Sequence, residues 1–184
     1  MDPTSKQIRA LAISLSSLGF GYAVMENEKT LVEYGKRRIT GDRHKASLNG
    51  IEKLIARCQP DCLVLQDVNN AKGTHRVDRI KKLHRGIVTL AKEHRLPVKI
   101  ISGWEVRAML LGNKNGTKQQ LAEVLTGRFP DELASRLPPK RRAWMNADAR
   151  MDIFDAVGLV VVFQVKTNKQ AHTLALDKSE TETV

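Results

Sequence analysis

The sequence predicts an α/β fold, a mixed five-stranded sheet flanked by helices on both faces, and two patterns predict it. Three consecutive segments rich in Leu, Val, Ile and Tyr, joined by short polar turns, fill the first forty positions. Beyond them, helical periods alternate with short apolar runs. A hairpin meander that feeds βαβ units gives a sheet with both antiparallel and parallel neighbours, and its crossovers place helices on either face.

Residues 8–13 alternate loosely and lead through SLSSLGFG into GYAVMENEKTLVEYGKRRI, where two apolar runs flank the polar turn at 26–29. These are the three antiparallel strands. Across 42–58, Leu48, Ile51, Leu54 and Ile55 fall at helical spacing and Pro60 stops the helix. CLVLQDV, at 62–68, is short, apolar and bounded by Pro60 and the Asn69/Asn70 pair, as a central strand buried on both faces should be. From 74 to 95, Val77, Ile80, Leu83, Ile87, Val88 and Ala91 recur every three or four positions, predicting a long amphipathic helix. A strand at 98–101 and a short helix at 103–110 follow. After a basic loop at 112–116, Thr117 and Gln120 form a capping-box pattern opening a helix to about 126, closed by Gly127. The stretch 129–145, with Pro138 and Pro139, reads as a surface excursion. Residues 149–163 form a helix apolar almost all round, which implies burial against the sheet. Thus residues 1–166 form one domain, and the polar segment 167–184 is expected to be a disordered tail.

The chain has 184 residues, with 31 Lys and Arg against 20 Asp and Glu, a formal net charge of +11. Such a surface attracts a polyanion, and nucleic acid is the first partner to consider. No apolar run approaches the roughly 20 residues that span a bilayer, and MDPTSKQIRA lacks the apolar stretch of a secretory signal, so a cytosolic address without membrane contact is expected. Cys58 and Cys62 stand without a second pair or a nearby His cluster, which supports neither a zinc site nor a disulfide framework. Aromatic residues are only 4%, which argues for phosphate contact over base stacking. The five histidines show no ligand spacing.

Four stretches carry a family resemblance. AISLSSLGFGYAV (12–24) resembles the first hairpin of the RuvC family of Holliday-junction resolvases, in the ribonuclease H-like superfamily, where G-I-D-P-G precedes a G-Y-x-V pattern. LVLQDV (63–68) resembles the central strand that ends there in a catalytic Glu. GTKQQLAEVL (116–125) is similar to the family's Lys-led helix, and DIFDAVGLVV (152–161) to its closing D-x-x-D-A helix. Their order along the chain is the family's order.

The resemblance implies four acidic side chains holding two divalent metals, Mg²⁺ or Mn²⁺, for attack on a phosphodiester. Hard cations want oxygen ligands, preferably charged ones. This sequence keeps half of that set: Ser14 stands at the first-strand Asp position and Gln66 at the central-strand Glu position, while Asp152 and Asp155 match the last two. Asp67 and Asp148 are the candidate substitutes, although strand alternation turns Asp67 away from Gln66. Asp152 and Asp155, with Asp148, also fit the plainer reading of acids on a helix surface. In an otherwise apolar helix, however, an ionised carboxylate calls for a partner, and without metal Arg150 or Lys118 would supply one.

Lys118 matches the Lys that lies near the scissile phosphate in the resembled family. Arg76, Arg79, Lys82 and Arg85 form a basic stripe on the 74–95 helix, which is either a solvated face or a phosphate-contacting one. Lys140, Arg141 and Arg142 are the densest local charge, with Trp144 beside them as a packing anchor. VNNAKGT (68–74) lacks the aromatic wedge that the family places there. Three readings stand: a RuvC-like protein that binds branched or duplex DNA with an impaired metal site, an active Mg²⁺-dependent structure-selective endonuclease, and a non-catalytic scaffold for a protein or structured RNA. The resemblance also implies a twofold homodimer.

Overall fold

Three antiparallel strands open the chain: β1 (Ala10–Ser16), β2 (Gly19–Met25) and β3 (Leu31–Arg38). They are followed by α1 (Arg43–Cys58), β4 (Cys62–Gln66), α2 (His75–Glu93) and β5 (Val98–Ile101). The computed structural model describes residues 7–69, 75–140 and 148–181, without the side chains of 75, 76, 172 and 174–181. The sheet order is β3-β2-β1-β4-β5, with β1 antiparallel to β2 and parallel to β4. The sheet is therefore mixed and five-stranded, and the parallel pair β1 and β4 lies at and beside its centre.

Side-chain alternation divides the core into two layers. Leu11, Ile13, Leu63 and Leu65 point toward α1 and α2, where they meet Ile51, Leu54, Leu83 and Ile87. Ala10, Ala12, Ala23, Cys62 and Val64 point the other way, toward α3 (Gly103–Leu111), α4 (Lys118–Arg128) and α6 (Met151–Thr181). The small residues on this second face let a helix lie close. α6 takes that place, with its outer side covered by α3 and α4, which explains why Ile153, Phe154, Val157, Val160, Val161 and Phe163 are all buried. Each such side chain contributes about 1.5–3 kcal/mol by leaving water. Gln164, also buried, ties α6 to the sheet by donating to the carbonyl of Ile8 at 2.7 Å.

The caps follow the sequence. The Asp42 side chain accepts from the backbone amides of His44 and Lys45, and Ser102 and Thr117 each close a capping box, with Glu105 and Gln120. Three elements differ from expectation. α4 runs through Gly127 to Arg128, because Phe129 docks into the core and the roughly 1 kcal/mol propensity cost of one Gly is overridden. The start of the 129–145 stretch is likewise core: Pro130 opens α5 (Pro130–Leu133), and Phe129 and Leu133 are buried. α6 does not end near Val165 but continues to Thr181, fastened by Lys166 to Glu105 and by Asn168 to Glu28 at 3.0 Å. Among the described residues no helix is long and apolar enough to cross a membrane.

Candidate carboxylate cleft and basic surface

β1 and β4 are in parallel register from Ala10 beside Cys62 to Ile13 beside Leu65, so the next rung holds Ser14 and Gln66. Both share the face of Ala12 and Val64, the face that α6 covers. Across β2 and β3 the same row continues from Ser14 to Gly21 and from Gly21 to Lys36. Gly21 is what lets α6 approach: a Cβ there would overlap the carbonyl oxygen of Asp152. One strand row thus places Ser14, Gly21 and Lys36 under the first turn of α6. On the other side Gln66 faces the start of α3, where a Cβ on Gly103 would meet its Nε2 at 3.3 Å.

Asp152 and Asp155 lie one turn apart on α6, both half-buried. Burial pushes the Asp152 carboxyl above its ordinary value; a hydrogen bond from Ser16 opposes this, Asp155 adds to it, and the cations Lys118 and Lys36 lower it again. Lys118, at the first turn of α4, forms an ion pair with Asp155. Arg150 turns instead to Asp148, donating to its carboxylate at 2.7 Å, and those hydrogen bonds hold the Asp148 carboxyl below its ordinary value. Asp148 is therefore already paired, and Lys36 also acts on it. Asp67 shares the parity of Leu63 and Leu65 and sits beside His84 on the α2 side. Burial lowers the His84 imidazole, while the nearby Asp67 opposes this.

The structure thus brings Ser14, Gln66, Asp152, Asp155 and Lys118 to one end of the sheet, turns Asp67 to the other face, and pairs Asp148 with Arg150. Ser16 and Lys36 join them, and sequence reasoning missed both. Strand alternation from Ser14 was enough to find Ser16, whereas Lys36 needed the β2–β3 register. Two of the four positions that the resemblance assigns to metal-holding carboxylates carry neutral groups. Ser14, only 2% exposed, offers a neutral hydroxyl and Gln66 a neutral amide, while one of the two carboxylates already carries an ammonium. Among the described residues no three His, Cys, Asp or Glu side chains are grouped to hold a metal ion.

The basic stripe of α2 divides. Arg79 and Lys82 line a cleft of about 580 Å³ between α2, the start of α1 and the β1–β2 turn, while Arg85 is exposed outside it. Lys140 is exposed. The Arg76 side chain, Arg141 and Arg142 lie outside the described residues. Both cysteines are buried, on opposite faces of the sheet, and burial pushes the Cys62 thiol up to about 11.

No protein-family model matches the sequence, and no curated protein matches it. Solved structures do match in shape. Thermus thermophilus RuvC, in complex with a Holliday junction substrate, is 13% identical and covers 84% of this chain and 92% of its own, with a TM-score of 0.65. The yeast mitochondrial Holliday junction resolvase Ydc2 is 13% identical over 97% of this chain and 86% of its own, with a TM-score of 0.61. The fowlpox virus resolvase, in complex with Holliday junction DNA, is 14% identical over 87% of this chain and 99% of its own, with a TM-score of 0.53. The chain has the ribonuclease H-like fold of RuvC and related Holliday junction resolvases.

Proposed function

We propose that this chain is a RuvC-like nucleic-acid-binding protein, acting on branched or duplex DNA, whose two-metal nuclease centre is impaired. The observation that carries the reading is the ion pair of Lys118 with Asp155 beside Ser14 and Gln66. A divalent cation entering there has to displace an ammonium and then finds two neutral groups where charge is needed to hold it. Binding rests on the net charge of +11 and on exposed cations such as Arg79, Lys82 and Lys140. Two of the similar structures are complexes with a Holliday junction, which makes a four-way junction the first ligand to try.

The test is a labelled junction incubated with the protein and Mg²⁺ or Mn²⁺. The expected result is binding without cleavage, with affinity falling linearly against salt on a log-log plot. Cleavage that Asp155→Asn abolishes would replace this reading with the endonuclease. Weak affinity that salt does not alter would favour the scaffold for a protein or structured RNA. The reading includes a homodimer, which light scattering of the purified protein checks.

A further inference from the structure

We infer that the cleft between the β1–β2 turn, the start of α1 and α2 is a second phosphate-binding site, seating an internal phosphodiester of the strand that passes Asp152 and Asp155. This rests on the DNA-binding reading and adds a place and a set of residues to it. Three fixed cations line the cleft: Arg43, Arg79 and Lys82. Among the described residues none of the three pairs with a carboxylate, whereas Arg9, Arg57, Lys118, Arg150 and Lys166 all do. Among the described residues the cleft's single acid is Asp42, whose Oδ1 caps the amides of His44 and Lys45 at 3.1 and 3.2 Å. Two of the amides at the start of α1 are therefore taken by Asp42. The side chains do the recognising.

Converging cations repel one another, and a bound oxyanion converts that repulsion into attraction. Arg43 is fixed for the task, because its Nη1 donates to the carbonyl of Ser17 at 2.9 Å and holds the guanidinium over the β1–β2 turn. A held guanidinium loses little freedom on meeting two phosphate oxygens. The cleft, at about 580 Å³, is larger than a phosphate and admits the adjoining sugars.

Position supplies the link to the carboxylates. Ser16, at the end of β1, lines this cleft, and by strand alternation its side chain shares the Ser14 face of the sheet, the face that α6 covers. The two sites are separated by the end of β1 alone. A strand whose phosphate lies near Lys118 and Asp155 reaches the cleft by crossing the β1–β2 turn, so the phosphate it places there is internal and not terminal.

The experiment compares wild type with Arg79→Ala/Lys82→Ala, two exposed positions whose loss leaves the core untouched, and with Arg43→Lys, which keeps charge but removes the guanidinium fork. Fluorescence anisotropy on a junction with hydroxyl 5′ ends, over a salt series, is the readout. The double variant is expected to bind at least about tenfold more weakly, with a log-log salt slope lower by about 0.9 for each phosphate no longer neutralised; Arg43→Lys should weaken binding at an unchanged slope. In ¹H–¹⁵N spectra, inorganic phosphate should shift the Gly41 and His44 amides of wild type but not of the double variant. Wild-type affinity and slope in the double variant overturn the cleft and leave the DNA-binding reading standing. A wild-type protein that binds neither junction nor duplex overturns both. A loss seen only with 5′-phosphorylated ends overturns the internal assignment.

Discussion

The ammonium of Lys118 rests on the carboxylate of Asp155, joining the first turn of α4 to the second turn of α6. The two partners differ in exposure, 58% for the Lys side chain and 14% for the Asp. Asp155 is therefore the dependent member. A carboxylate so little exposed needs a cation, and the fold supplies one from its own chain where a metal centre would draw it from solution.

Replacing Lys118 by Ala should lower stability by about 1 kcal/mol, or roughly 2–4 °C in Tm for a chain of this size. Asp155 then faces Asp152 without its neutralising partner. Adding Mn²⁺ should raise the Tm of Lys118→Ala more than that of wild type, since the two carboxylates are left to bind it. Identical melting of both proteins, with and without Mn²⁺, would place this pair among the surface ion pairs that contribute nothing measurable.

Asp152 gives the site a pH dependence of defined sign. Burial raises its carboxyl pKa in the folded state above the ordinary 3.8, so between the two values the folded protein holds the extra proton. Stability contributed by this group therefore falls as pH rises through that window, and its penalty is complete above the folded pKa. Asp152→Asn should stabilise the protein by about 1 kcal/mol at neutral pH, as removal of a functional-site strain does. The advantage should vanish as pH falls below 3.8. Urea titrations of both proteins across that range measure it; a difference independent of pH would mean that the Asp152 carboxylate is solvated.

Gly21 is the contact on which the placement of α6 depends. Ala at this position would drive a Cβ into the carbonyl oxygen of Asp152, with that residue's own Cβ 3.0 Å away. Overpacking of this kind costs about 1–3 kcal/mol, and more where backbone is the obstacle. The variant should melt several degrees below wild type. Its Arg79 and Lys82 cleft is on the other face, so DNA affinity should change far less than stability.

Much of this arrangement is legible in the sequence because strand parity is strict. Once LAIS and LVLQ are read as central strands, Ser14 and Gln66 must share a face with Ala12 and Val64, and Asp67 must take the other. The apolar circumference of 153–163 likewise demands a helix covered on all sides. Lys36 is out of reach, since only the pairing of Gly21 with Lys36 brings it under α6. The split of the α2 stripe is equally hidden, because Arg79 and Lys82 gain their meaning from Arg43 and the β1–β2 turn, which no periodicity connects to α2. Phe129 shows the weakness of reading Gly and Pro as boundaries: burial of one aromatic ring outweighs both.

Restoring charge at the two neutral positions is the sharpest probe of the cleft. Ser14 is 2% exposed, so Ser14→Asp alone buries a carboxylate between Gly21 and the first turn of α6, beside Asp152, at a cost of about 3–5 kcal/mol. Gln66→Glu should cost less, because Gln66 is half-buried at the strand end. In the double variant four carboxylates face one another, and their repulsion is relieved only by a divalent cation. The double variant should therefore melt far below wild type without metal and recover steeply with Mn²⁺, by about 2.7 kcal/mol when the ion is a hundredfold above its Kd. Wild type should show little response, because Ser14 and Gln66 supply no charge and Lys118 already holds Asp155. Cleavage of a four-way junction by the Mn²⁺-loaded double variant, absent from wild type, would show that the rest of the cleft keeps a geometry able to place a phosphodiester for hydrolysis. An equal Mn²⁺ stabilisation of wild type and the double variant would show instead that Asp152 and Asp155 suffice to bind the ion, whatever stands at positions 14 and 66.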